Sequence, residues 1–161
     1  AVYTEPPERG EMEMTVTLAT NLLAPAAALI VWTLLMLLWM VATRLPALKA
    51  ANIDLGKAPP GGRGQDLDKV LPPTVNWPAH NYAHLMEQPT IFYPTILVLA
   101  LLGQGTALNV GLAWTYVGLR IAHSVWQASV NTIPVRFSLF FVSSILLFIL
   151  AVSALRTALA I

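Results

Sequence analysis

Charged side chains are missing from three long blocks of this chain: positions 14–43, 88–119 and 137–155 contain no Asp, Glu, Lys or Arg. Each block approaches or exceeds the roughly 20 apolar residues that cross a bilayer as a helix. The first, centred on LLAPAAALIVWTLLMLLWMVA, predicts a span over about 16–42; Pro25 within it is a residue that membrane helices tolerate. The second block is divided by Gly103-Gln104-Gly105, a turn signal. Neither of its arms can cross alone, so each must recruit flanking sequence, which predicts spans over about 81–102 and 106–127. A short turn around Asn131-Thr132-Ile133-Pro134 precedes a fourth span over about 133–155. The expected fold is all-α, a four-transmembrane-helix bundle of up-down topology over 16–161, with residues 1–15 as an acidic tail in front of it.

Composition agrees with that pattern and narrows it. The 161 residues are 57% hydrophobic and 11% charged, with a mean hydropathy of +0.67, which argues against a water-soluble fold. A net charge of +1 gives no reason to expect a nucleic-acid partner. With no cysteine in the chain, disulfides, thiolate metal sites and a cysteine nucleophile are excluded. The tail carries Glu5, Glu8, Glu11 and Glu13 against Arg9 and lacks the basic region that opens a signal peptide. The connection from Arg44 to His80 is rich in Pro and Gly and holds Arg44, Lys49, Lys57, Arg63 and Lys69. As the most basic loop it is expected in the cytoplasm, with both termini on the other side after four crossings.

The same length argument draws a few ionisable residues to membrane depth. His84, Glu87, Arg120, His123 and Arg136 all fall at the cytoplasmic ends of the predicted spans. Such groups cost at least ~2.5 kcal/mol each on insertion scales, so they face a bundle interior or wet cavity and seek partners. His84 and Glu87 are three residues apart, as are Arg120 and His123, so each pair shares a helix face, and Gln127 extends the second pair by a turn. A structural reading pairs Glu87 with Arg120 across a helix interface. Arg136 then has no nearby acid; an anionic ligand and a lipid headgroup reached by snorkelling are both open to it. The two histidines lack the carboxylate or cysteine spacing of a metal site, so no metal is expected.

Residues 81–93, reading NYAHLMEQPTIFY, contain Glu87-Gln88-Pro89 followed by Phe92-Tyr93, and the later stretches WTYVGLRIAHS and Asn131 through Phe137 follow in order. Together they resemble the MAPEG family, the membrane-associated proteins in eicosanoid and glutathione metabolism, over roughly 16–155, and within it a bacterial branch with an E-x-P-x-x-F-Y motif. In one glutathione-dependent enzyme of the family, the R-x-x-H motif is followed sixteen residues after its arginine by the arginine held to activate the glutathione thiol; Arg120 and Arg136 have that spacing. The resemblance implies a homotrimer in the bacterial inner membrane, with periplasmic termini and sites between subunits near the cytoplasmic face. It implies glutathione bound by His84, Glu87, Arg120, His123 and Gln127, with Arg136 as the catalytic thiolate stabiliser, in a transferase or peroxidase acting on lipophilic electrophiles. Two positions depart from the family's glutathione enzymes: His84 stands where they have Asn, and Gln127 where they have Tyr. The alternative expectation is a non-catalytic subunit of a larger membrane complex that binds lipid or pigment-protein partners.

Overall fold

The computed structural model describes residues 9–159, with side chains from Thr20 onward. Of the acidic tail 1–15, residues 1–8 and all its side chains lie outside that description. Five α-helices run through the described residues: α1 Arg9–Ala50, α2 Pro73–Leu85, α3 Pro89–Leu101, α4 Ala107–Ser129 and α5 Ile133–Leu159. Two of them contain stretches long and apolar enough to cross a membrane, Thr20–Ala50 and Ile133–Leu159.

The burial pattern of α1 explains why its sequence is apolar on every side. Leu22, Pro25, Leu29, Thr33 and Met36 are buried at spacings of three and four, forming one seam against the other helices. The opposite face keeps Ile30, Val31, Leu34, Leu35 and Leu38 about half exposed or more. On α5 the residues Ile133, Phe137, Phe141, Ile145 and Phe148 form a comparable exposed stripe. Continuous exposed apolar faces of this kind are stable where the surrounding solvent is lipid.

The second predicted span proves to be two helices. α2 starts at Pro73, well before the expected Asn81, because Pro72-Pro73 supplies the preset φ favoured in a first helical turn. It stops at Leu85, since Pro89 has no amide hydrogen to donate to the Leu85 carbonyl and its ring crowds that carbonyl. Bonds of the i to i+3 type, Glu87 N to His84 O at 3.3 Å and Thr90 N to Glu87 O at 3.2 Å, carry the chain through the break.

The Arg44–His80 connection is also shorter than expected. α1 continues through Arg44 to Ala50, and α2 takes up the other end from Pro73. Between them lie two short 3-10 turns, Leu55–Lys57 and Gly64–Lys69. The segment is pinned to the bundle by polar contacts: Arg44 Nη2 donates to Asp68 Oδ1 at 3.3 Å and to Asn76 Oδ1 at 3.0 Å, and His80 Nε2 lies 2.8 Å from Asp68 Oδ2. The buried Asn76 amide donates to the carbonyl of Leu71.

The two short turns fall where the sequence puts them. Gly103 takes a φ of +67°, and the amides of Gly103 and Gln104 close back onto Ala100 O and Leu99 O. The hydroxyl of Thr106 then caps α4 by accepting from Asn109 N at 3.2 Å. At the other turn Asn131 adopts φ +61°, and Trp126 Nε1 donates to Thr132 Oγ1 at 3.0 Å. α1 packs on α2, α3 and α4; α4 packs on α2 and α5; α3 packs on α5. Their shared core includes Met36, Phe92, Ile96, Leu99, Tyr116, Val117 and Leu150.

Candidate functional site

α4 is apolar overall but carries a polar stripe. Tyr116, Arg120, His123 and Gln127 recur at spacings of three and four, so one helix face holds all four, and all four are buried. The helix therefore aims its only ionisable residues into the bundle. Opposite stands the last turn of α2, held in register by a reciprocal pair: Asn81 Nδ2 donates to Ser124 Oγ at 3.0 Å, and Ser124 Oγ donates to Asn81 Oδ1 at 3.1 Å. Both residues are fully buried, so an unmade bond on either side is expensive and the pairing fixes how α2 lies on α4.

That register brings His84 against His123, ring centroids 5.0 Å apart, and against Phe140 of α5 at 5.4 Å. His84 Nδ1 lies 2.7 Å from Glu87 Oε2, and the backbone carbonyl of His84 accepts from Arg120 Nη2 at 3.3 Å. Arg120 is completely buried, with its guanidinium carbon 6.0 Å from the Phe140 ring centroid. Its Nε and Nη1 have no hydrogen-bond partner. The side chain thus holds a full positive charge and five N–H donors in the interior and satisfies few of them.

The expected Glu87–Arg120 ion pair is not formed. Glu87 lies in the break between α2 and α3, its side chain 68% exposed, and its carboxylate bonds to His84. The i, i+3 spacing that places both on one face favours that local partner, and the interruption at 86–88 turns the carboxylate outward. Among the described residues no carboxylate lies within ion-pair distance of Arg120.

Arg136, in the first turn of α5, donates from Nη1 to Asn131 Oδ1 at 2.7 Å, while its Nε is buried without a partner. Gln127 Oε1 is likewise buried and unpartnered. Four of the six residues singled out from the sequence, His84, Arg120, His123 and Gln127, are thus brought to the α2–α4 interface beside α5. Arg136 stands at the start of that neighbouring helix, and Glu87 reaches the group through His84.

Tyr116, Gln88, Phe140 and Ser144 were not anticipated. Gln88 Nε2 donates to Ser144 Oγ at 2.6 Å, and Tyr116 stacks on Phe92 at 4.3 Å between centroids. Tyr116 was legible as the residue one turn before Arg120, and Phe140 as the one a turn after Arg136. Gln88 and Ser144 carry no such signal, because their pairing depends on how α3 meets α5.

The MAPEG family model matches residues 22–156, which covers α2, α3 and α4 in full, α1 from Leu22 and α5 as far as Arg156. The chain belongs to the MAPEG family. No curated protein and no solved structure matches the sequence. In this MAPEG protein the arginine and histidine of R-x-x-H are both buried, and the glutamate of E-x-P marks the helix break that the proline produces.

Proposed function

We propose that the protein crosses the membrane four times, through α1, the α2–α3 pair, α4 and α5 in up-down order, and binds glutathione at the Arg120 cluster. The observation that carries this reading is the buried, under-partnered guanidinium of Arg120. An interior charge of this kind is costly unless an anion or strong acceptors complete it. An anionic peptide with several carbonyl and carboxylate oxygens fits the free Nε and Nη1 of Arg120 and the free Nε of Arg136. Both arginines lie in the part of the chain from Gln88 onward, which contains no acidic residue to neutralise them.

Glutathione supplies the thiol nucleophile that a cysteine-free chain lacks. Arg120 holds the peptide, with His84 and His123 forming the adjoining wall and Gln127 Oε1 offering an acceptor to a ligand N–H. Glu87 orients the His84 ring through their bond. Arg136, flanked by Asn131, stabilises the thiolate after the thiol proton leaves to solvent. The thiolate sulfur forms a bond to the electrophilic carbon of a lipophilic substrate while the leaving group departs with its bonding pair. Such a substrate reaches the site from the bilayer. Assembly as a homotrimer in a bacterial inner membrane, with both termini periplasmic and the site near the cytoplasmic face, completes the proposal.

The test is isothermal titration of detergent-solubilised protein with glutathione, run beside Arg136→Ala with a lipophilic aryl halide as second substrate. Heat of binding in the millimolar range or tighter, about −4 kcal/mol or better, is expected, with conjugation lost in the variant. Absence of both binding heat and thermal stabilisation by glutathione refutes the reading.

A further inference from the structure

At a distance from this cluster, the first turns of α4 and the last turns of α5 enclose a groove of ≈ 590 Å³. Arg156 stands at its mouth, about 30 Å along α5 from Arg136 at the helical rise of about 1.5 Å per residue. The groove is therefore a separate feature. Its walls are mostly apolar, formed by Leu112, Phe148, Ile149 and Val152, with Asn109, Ser153, Thr157 and Arg156 as the polar lining.

Among the described side chains, Arg156 has no acidic partner. Every described carboxylate, Asp54, Asp66, Asp68 and Glu87, lies in the central part of the chain, and none of them pairs with Arg156. Asp68 and Glu87 are held by His80 and His84. A cation at the end of a long apolar helix belongs at the lipid headgroup level. There, an apolar trough leading away from a single arginine is complementary to an amphiphile with an alkyl chain and an anionic head. An arginine that only snorkels toward bulk headgroups requires no trough beneath it.

We propose that this groove binds an anionic phospholipid, its acyl chain along Leu112, Phe148, Ile149 and Val152 and its phosphate against Arg156. The site is independent of the glutathione reading and stands or falls by itself. The test is native mass spectrometry of the purified full chain after delipidation and exposure to equimolar phosphatidylglycerol and phosphatidylcholine. The wild-type protein retains phosphatidylglycerol preferentially, and Arg156→Gln lowers the ratio of the two retained lipids about five-fold. Val152→Trp, which fills the trough from a partly exposed position, reduces retention of both lipids with melting temperature and oligomeric mass unchanged. An unchanged lipid ratio in Arg156→Gln overturns the proposal. So does a shift in oligomeric mass with undiminished lipid retention in Val152→Trp, which assigns the groove to a second copy of the chain.

Discussion

Replacing Arg120 with Met separates a ligand-binding arginine from a structural one, because the two roles predict opposite changes in stability. Met is an unbranched side chain that can fill most of the space of the aliphatic stem in a completely buried position. The substitution gives up one hydrogen bond to His84 O, which at 3.3 Å sits toward the weak end of the ~1.5–3 kcal/mol range for charged donors. It also removes an interior charge whose Nε and Nη1 are unpartnered and whose desolvation costs several kcal/mol. The balance is neutral to about 3 kcal/mol in favour of the variant. At roughly 2–4 °C per kcal/mol, the unliganded variant melts at the wild-type temperature or several degrees above it. Glutathione at a hundred times its dissociation constant adds about 2.7 kcal/mol to the wild-type protein and nothing to the variant. Thermal melts in detergent, with and without glutathione, read both effects. A variant that melts lower by the equivalent of 3–5 kcal/mol refutes the reasoning. That result means that Arg120 is already paired in the assembled protein, for instance by a carboxylate of a neighbouring copy, and is there for packing.

Three further outcomes follow from the geometry. Glu87→Gln changes the melting temperature by less than the equivalent of about 1 kcal/mol, since its bond to His84 is made by a side chain 68% exposed and is screened by solvent; a larger loss in the same melts would place Glu87 in a buried network. Asn81→Ala and Ser124→Ala each destabilise by about 1–3 kcal/mol, while the double variant costs clearly less than their sum, because each single change strands a buried polar partner; additivity in a double-mutant cycle would deny the pairing. Arg44→Ala removes the tie from α1 to Asp68 and Asn76 and loosens the segment 51–72, so limited trypsinolysis at Lys57, Arg63 and Lys69 accelerates; an unchanged cleavage rate would show that the segment is held by other contacts.

The helices were legible because their determinants are local. Charge-free length marked α1 and α5, Gly103 and Asn131 marked the turns, and both glycine-like backbone positions are occupied by residues that tolerate positive φ. The break at 86–88 was written in Pro89 but hidden by the demand for a span of full length, which led to a single continuous helix being expected. The start of α2 was obscured similarly: Pro72-Pro73 reads as loop when counted with the glycines before it, although proline is well suited to open a helix.

For the site, sequence spacing determined which residues share a face: Tyr116, Arg120, His123 and Gln127 on α4, His84 and Glu87 at the end of α2. Helical periodicity is a property of the backbone and needs no partner to be read. Which of those faces meet, and which charges find each other, depends on the angle and register of packed helices, and only the tertiary structure decided that. Asn81 and Ser124 set the register, the break turned Glu87 to His84, and Arg120 was left in the interior with donors to spare. The charge pattern could name the ionisable residues that border the charge-free stretches; it could not say which would remain unpaired, because pairing is decided by distances of a few ångströms between helices that the chain order does not encode.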